Sequence, residues 1–424
     1  MNSFARGSTQ QALSVNIAGG VDSVTRYTIE MLTEICHRFG VEIRSAEDAG
    51  ALWVSVCDPD DMPAVVHARS IAKGRPVIMG GFEGYFGVPY LNWVDAVVVG
   101  EGLEFISTWA KSPEAAMNLP CVLKRDSKEV FPSYSVPYAY SPLLRLSGGT
   151  LFYYLGGRGC KGKCGFCATS WVQPYTQCPD KYIDKVISMV ESMPNGKLAL
   201  ISNDSNFKNR SKIITAQSVR IVDYLKDPLA YKSNMNHFGV EGWTAEQRRK
   251  FSKPITDEQI QEVVIKTEAA KQQCELFMIV GYPGWSMVDV ENFAAMFPHS
   301  LKNSPKIYVK CTYFDPCPHT PLSGSAVNPE FCNIPEVFKI FNSRSKRVRV
   351  FPTRSAGRSA WRTVLHRCTP DQAGILGPQP KTTNCPEAFE LFKKNISATG
   401  LAHLLDEFKD NPNNVIKCSV RKAL

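Results

Sequence analysis

Three cysteines fall within eight residues of a 424-residue chain, in the stretch 155–171, LGGRGCKGKCGFCATSW. Cys160, Cys164 and Cys167 follow a C-x3-C-x2-C spacing, among Gly156, Gly157, Gly159, Gly162 and Gly165. Thiolates are ligands for soft metals, and glycines let a backbone wrap closely around a bulky inorganic centre. Metal ligands, half of a disulfide framework and ordinary buried thiols are the three readings. A zinc site wants a fourth Cys or His at a matching spacing. Cys178, eleven residues past Cys167, is the nearest candidate, and no His lies close by. Three thiolates in a tight loop suit a four-iron cluster, which leaves one iron without a protein ligand and open to chemistry. Of the three readings this is the strongest.

The rest of the composition narrows the compartment. The chain has 14 cysteines, most of them scattered singly and read as small buried hydrophobes. The N-terminal stretch MNSFARGSTQQALSVNIAGG has no apolar signal region, and no apolar run approaches the roughly 18–20 residues that span a bilayer. A soluble cytoplasmic protein without membrane contact is expected, where clustered cysteines bind metal rather than form disulfides. The formal charge of +9 permits a polyanionic partner without requiring one.

The elements that must position the loop read as α/β throughout. Before it, TRYTIEMLTEICHRFGVEI has helical periodicity, ALWVSVCD is a buried strand, MPAVVHARSIAKG a helix, and RPVIMGG and VDAVVVGEG are strands ending in glycines. Alternation of this kind implies a doubly wound parallel sheet whose ligand edge lies around Asp58, Gly80-Gly81 and Gly100-Glu101-Gly102. Residues 118–150, rich in Pro, Tyr and Ser, read as a linker. A second α/β series follows: a strand into the cysteine loop, then YIDKVISMVESM (helix), KLALISNDSNF (strand), SVRIVDYLKD (helix) and an irregular extended YKSNMNHFGVEGW. TDEQIQEVVIKTEAAKQQC is a helix capped by Thr256 with Gln259 three residues on, followed by strand ELFMIVGYPG, helix SMVDVENFAAMF and strand KIYVKCTYF. The expected domains are 1–117, a linker 118–150, 151–335 and a basic, mostly helical extension 336–424.

With these segments in view, CKGKCGFC resembles the signature of the radical S-adenosylmethionine (SAM) superfamily, with Phe166 before the last cysteine. The resemblance spans about 150–330 and implies a partial (βα)6 barrel. It further implies a [4Fe-4S] cluster on Cys160, Cys164 and Cys167, SAM chelated to the open iron, and an external one-electron donor of the flavodoxin or ferredoxin type. One-electron cleavage of SAM then gives a 5′-deoxyadenosyl radical that takes hydrogen from an unactivated carbon. LISNDSNF looks like the second barrel strand, with Asp204 and Asn206 near its exposed end; a helix N-cap is the plain alternative for Asp204. FGVEGWTAEQRRK resembles the stretch where a glutamate meets the SAM ribose and an arginine lies near its carboxylate, here Glu241 and Arg248. FMIVGYPGW resembles the glycine-proline motif near the adenine, through Ile279, Gly281, Pro283 and Gly284, with Trp285 where an acid is common. Without the resemblance, Glu241 reads as a solvated loop acid and Gly281 and Pro283 as turn formers.

Residues 50–106 resemble the cobalamin-binding domain that precedes many radical SAM domains, through Ser55, Gly80-Gly81 and the stretch Asp95 to Gly102. The D-x-H-x-x-G loop that supplies a cobalt ligand in such domains is absent, and His37 and His67 fall in expected helices. Cobalamin is therefore expected either without a histidine ligand or not at all.

The resemblance implies methylation if cobalamin binds, otherwise rearrangement (isomerisation) or oxidation. Arg344, Lys346, Arg347, Arg349, Arg354, Arg358, Arg362 and Arg367, interleaved with Phe351, Trp361 and His366, form a basic strip without an acid. As a phosphate-contacting strip it makes a nucleobase in DNA or RNA the substrate; as a solvated helix face it leaves a peptide or small-molecule natural product. Cys311, Cys317 and Cys332 are loosely spaced candidates for a second cluster. A noncatalytic cluster- or corrinoid-binding protein is the reading from another class.

Overall fold

The computed structural model describes residues 13–20, 23–145, 149–203, 213–214, 216–231, 235–297, 307–327, 334–344, 348–352, 356–378, 386–406 and 408–418. The chain is α/β and divides into two compact units, 1–144 with 365–380 and 410–424, and 145–364 with 381–409.

In the first unit, β1 (Val15–Gly19), β2 (Ala51–Ser55), β3 (Val77–Gly80) and β4 (Ala96–Val98) are parallel neighbours in that order, and β5 (Val122–Leu123) closes the edge antiparallel to β4. Ile43 bridges Val15 on the other side of β1, with Val15 N–H on Glu42 O (2.9 Å) and Arg44 N–H on Val15 O (3.0 Å). The chain thus leaves β1 in one direction through α1 (Ser23–Phe39) and returns across it to β2. That reversal makes the sheet doubly wound and places its crevice at the carboxyl ends of β1 and β2. Every residue of β2 is buried, as a strand covered on both faces requires. α1 turns Tyr27, Met31 and Ile35 inward at four-residue intervals, and α2 (Met62–Ile71) turns Met62, Val65 and Ala68 inward at three-residue intervals. Trp53 meets Phe105 and Trp109, both of α3 (Leu103–Trp109), edge-on at 5.5 and 5.4 Å.

The stretch read as a linker belongs, through Leu144, to this unit. It supplies β5, and Ser133 and Val130 bridge Gly100 and Ile416. Proline and tyrosine content misled because extended segments on a sheet edge carry the same residues as linkers.

Among the described residues, the second unit holds seven strands that pair in parallel, in two groups. β6 (Leu151–Leu155) pairs with β7 (Lys197–Ile201). β8 (Ala216–Ser218), β9 (Met235–Glu241), β10 (Gln273–Val280), β11 (Ile307–Tyr313) and β12 (Val348–Pro352) form the other sheet, and a Leu198–Ile214 bridge joins the groups. β12 comes from the stretch read as a helical extension. β9 is a regular strand where an irregular segment was expected: Asn236, Phe238 and Val240 are fully buried, and the alternate residues turn to the other face. The outer face is covered by α4 (Asp257–Ala269), α5 (Met287–Ala295) and α6 (Ile334–Arg344), whose Val263, Phe293 and Phe341 join Leu276 and Val309 in one core. Thr256 and Gln259 form the expected capping box at the start of α4.

Candidate functional site

The cysteine loop leaves β6 and turns at Gly159, whose φ of 66° lies in the left-handed region. A Cβ there would stand 2.3 Å from Pro174 O, so glycine is required twice over. Gly162 N–H points at Cys160 Sγ (3.3 Å), Trp171 Nε1 donates to Cys164 O (2.9 Å), and Gly165 is held between Phe251 O (3.1 Å) and Leu322 N–H (3.0 Å).

Cys160, Cys164 and Cys167 line one cleft of about 310 Å³ together with Phe166, Glu241 and Lys253. A Cβ on Gly162 would lie 3.4 Å from Cys160 Sγ and 3.5 Å from Cys164 Sγ, so that glycine keeps the space between two thiols open. Among the described residues no three Cys, His, Asp or Glu side chains converge as they would on a single metal ion. A four-iron cluster binds each cysteine through a different iron, and three spaced thiols over a glycine suit it better than zinc does. Cys178 is buried elsewhere, its thiol toward Pro179 O, and does not line the cleft. Burial pushes the Cys164 thiol up to about 12, while Lys253 pulls it down.

Glu241 ends β9 with a φ of 70°, at a register shift between Gly239 and Glu241 against β10. Its side chain still lines the cleft, on the face it shares with His237 and Gly239. Lys253 Nζ meets Glu241 Oε1 at 2.9 Å and Gly239 O at 3.0 Å, and lies 5.9 Å from the Phe166 ring centre. Burial alone would lower the Lys253 ammonium, but Glu241, Cys164 and Cys167 together hold it above the usual lysine range. Gly239 makes room for this pair: a Cβ would come within 2.4 Å of Lys253 Nζ and 2.6 Å of Glu241 Oε1. Phe166 stacks edge-on against Phe251 at 5.3 Å.

Arg248 does not reach the cleft. It is fully buried, and its guanidinium binds Ile255 O (2.6 Å), Gly242 O (3.1 Å) and Asp257. All of its reach is spent on the loop that presents Lys253, so the cation beside the cysteines is Lys253. Ile279 is buried, and its carbonyl accepts Trp243 Nε1–H at 2.8 Å. Gly281 follows with a φ of 75°; neither residue lines the cleft. Asp204, Asn206 and Cys332 lie outside the described residues. Asn203, Ser218, Arg220, His237 and Phe277, which the sequence reading passed over, line the cleft. A strand reading of 235–241 would have found His237, since it shares a face with Glu241 at even spacing.

The helical end of the basic strip is not at the surface: Trp361, Arg362, His366 and Arg367 of α7 (Ala356–Arg367) are buried, whereas Arg349 and Phe351 are exposed. Arg362 pairs with Asp315 at 3.0 Å, and His366 Nε2 meets Glu83 at 2.9 Å. Packing claims these groups before a phosphate backbone can. Lys346, Arg347 and Arg354 lie outside the described residues. Cys311 faces the core, fully buried, away from the cleft.

In the first unit, Ser55 Oγ is buried at the carboxyl end of β2 without a hydrogen-bond partner among the described residues, where the resemblance placed a corrin contact. The turn after β1 closes on Asp61: a Cβ on Gly20 would fall 1.5 Å from Asp61 Oδ1. Asp61 in turn takes the Thr25 hydroxyl (2.9 Å) and Cys57 N–H (3.0 Å). His37 and His67 are exposed on helices. An orphan hydroxyl at the switch point fits a corrinoid; a histidine ligand from this turn does not.

No family profile and no curated sequence matches the chain. Solved structures do. The radical SAM methyltransferase TsrM from Kitasatospora setae, with cobalamin and a [4Fe-4S] cluster bound, aligns with a TM-score of 0.56 at 12% identity, over 74% of this chain and 76% of that one. TsrM with tryptophan substrate and a SAM analogue aligns at 0.55 and 12%, over 73% and 75%. OxsB, a cobalamin-dependent SAM radical enzyme with aqua-cobalamin and SAM bound, aligns at 0.52 and 11%, over 80% of this chain and 58% of that one. The chain has the fold of the cobalamin-dependent radical SAM enzymes.

Proposed function

We propose that the protein is a radical SAM enzyme that transfers a methyl group to a small-molecule or peptide substrate, with a corrinoid carried by its first unit. The observation that carries this is the convergence of Cys160, Cys164 and Cys167 with the Glu241–Lys253 pair on one cleft. The relatives in fold, which include a methyltransferase, favour methyl transfer over the rearrangement of a nucleobase, and the burial of Trp361, Arg362, His366 and Arg367 leaves fewer groups for a polynucleotide.

A [4Fe-4S] cluster with SAM on its open iron supplies a 5′-deoxyadenosyl radical after one-electron reduction, and a corrinoid supplies a transferable methyl group. The chain's own residues do the rest. The three thiolates hold the cluster and leave one iron free. Glu241 offers its carboxylate to the ribose hydroxyls of SAM, and Lys253 offers an ammonium to its carboxylate. Phe166, backed by Phe251, walls the cleft against water, which strengthens those charge contacts. The electron comes from an external donor of the flavodoxin or ferredoxin type. Among the described residues no helix is long and apolar enough to cross a membrane.

Anaerobic reconstitution with iron, sulfide and hydroxocobalamin, whose reduced form accepts the methyl group, then reduction with dithionite in the presence of SAM, tests this reading. Release of 5′-deoxyadenosine or of S-adenosylhomocysteine, lost in Cys160→Ala, is the expected result. An intact cluster that never cleaves or demethylates SAM leaves a noncatalytic binding protein.

A further inference from the structure

Beyond the SAM-facing end, the cleft has a polar wall built from four adjacent strands. His237 of β9 lies opposite Ser218 of β8 and Glu275 of β10 in register, and Phe277 of β10 lies opposite Lys310 of β11. Glu275 is only 2% exposed. One of its oxygens meets Lys310 Nζ at 2.7 Å, and the other faces His237 Nε2 at 3.1 Å. His237 and Phe277 line the cleft with the cysteines; Glu275 and Lys310 stand behind them. The two rings meet edge-on with centres 5.8 Å apart, and Lys310 Nζ lies 5.6 Å from the Phe277 ring centre.

A buried carboxylate is costly where an apolar side chain would pack as well, so a charged pair aimed at one cleft-lining imidazole marks a functional arrangement. The contact is a charge contact without hydrogen-bond alignment, but a carboxylate at that distance repels a nitrogen lone pair and attracts an N–H, so the His237 nitrogen that faces it is the one that carries the proton. The other nitrogen, Nδ1, is then an acceptor on a ring that lines the cleft.

We propose that His237, backed by Glu275 and Lys310, is the hydrogen-bond acceptor that recognises the substrate, and that the substrate is a small molecule with an N–H or O–H donor on a flat unsaturated ring. Phe277 supplies the surface on which that ring lies, beside the donor contact. The proposal rests on this cleft being the substrate site of the activity proposed above. The charged groups facing His237 are Glu275 from β10 and, behind it, Lys310 from β11, with Arg220 at the cleft wall beyond β8. Burial holds the imidazole below its usual range, Glu275 raises it and Lys310 lowers it again, which agrees with a neutral ring. Glu275 and Lys310 are positioning residues, since neither lines the cleft.

The test uses two probe pairs on the full-length, cluster-reconstituted chain: phenol against anisole, and indole against 1-methylindole. Each pair differs only by methylation of the donor. Titration with 15N-histidine labelling is expected to show His237 as the neutral Nε2–H tautomer, with Nδ1 shifting on addition of the donor probes. Phenol and indole should bind roughly 10-fold more tightly than their methylated partners. His237→Phe should erase that preference, His237→Gln should restore part of it, and Glu275→Gln should leave both tautomers populated. Equal binding within each pair, an unchanged preference in His237→Phe, or no probe-induced shift of His237 at millimolar concentrations overturns the proposal. SAM cleavage is measured separately, so loss of the activity reading and loss of the recognition reading give different results.

Discussion

Lys253 Nζ stands 2.9 Å from Glu241 Oε1, and both side chains line the cleft that holds Cys160, Cys164 and Cys167. A cation and an anion are thus tied together over Gly239 on the cleft that the three thiols line. Lys253→Met should lower SAM affinity in isothermal titration by at least about 10-fold. It also leaves a mostly buried carboxylate unpaired, so urea melts should show a loss of about 1–3 kcal/mol. Glu241→Gln, which keeps the volume and can still bind Lys253, should weaken SAM binding with a smaller stability loss.

Arg248 separates structure from binding. Arg248→Gln removes bonds to Gly242 O, Ile255 O and Asp257 at a fully buried site. A destabilisation of about 2–4 kcal/mol is expected, with SAM affinity of the folded fraction unchanged at low temperature. A variant that melts like the parent but loses SAM would assign Arg248 to the ligand after all.

Iron stoichiometry checks the cysteine assignment. The reconstituted chain should hold ~4 iron per chain, and Cys160→Ala should lose most of it. Cys311→Ala, in the core, and Cys178→Ala should keep the iron and lose only stability. About eight irons in the parent would instead establish a second cluster.

Corrinoid binding should be independent of histidine. Hydroxocobalamin added to the chain should give an absorption spectrum that His37→Ala and His67→Ala leave unchanged, since both side chains are exposed on helices. Ser55→Ala removes the orphan hydroxyl and should weaken binding several-fold without cost to folding.

Stability should fall in alkali. Burial pushes the Cys274, Cys36 and Cys368 thiols up to about 12, and with Glu104 beside it Cys121 is pushed up to about 11. In the unfolded chain these thiols lose their protons from roughly pH 8.5. The folded state then binds more protons than the unfolded one, and stability declines as pH rises from roughly 8.5 toward 12. Urea midpoints measured at pH 7.5 and 10 under reductant should differ in that direction. Replacing Cys274 with alanine should shrink the difference.

Much of this was legible from local patterns. The glycine-laced cysteine loop, the Thr256–Gln259 capping box and the apolar strands of both units announce themselves within a few residues. Lys253 did not, because nothing in FSKPIT marks a lysine that folds back over a strand, whereas Arg248 in a basic run drew attention for its charge alone. β9 was hidden by a polar inward face, with His237, Gly239 and Glu241 alternating against Asn236, Phe238 and Val240. Burial of the strip around Trp361 was invisible because Arg362 and His366 find their acids, Asp315 and Glu83, far away in sequence.

The first unit is finished by the end of the chain. Asn413 accepts from Val88 N–H (3.2 Å) and donates to His366 O (2.9 Å), and Lys417 N–H meets Val130 O (2.8 Å). A ribosome adding 5–20 residues per second needs roughly 10–50 s to travel from residue 144 to these partners. For that time Glu83 is without His366 and the sheet edge at Val130 is uncovered. The second unit, by contrast, has most of its strands before it needs residues 381–409. Synthesis order and sequence order therefore disagree: the part made first settles last, and a nascent chain stalled in the second unit should expose the first to proteases.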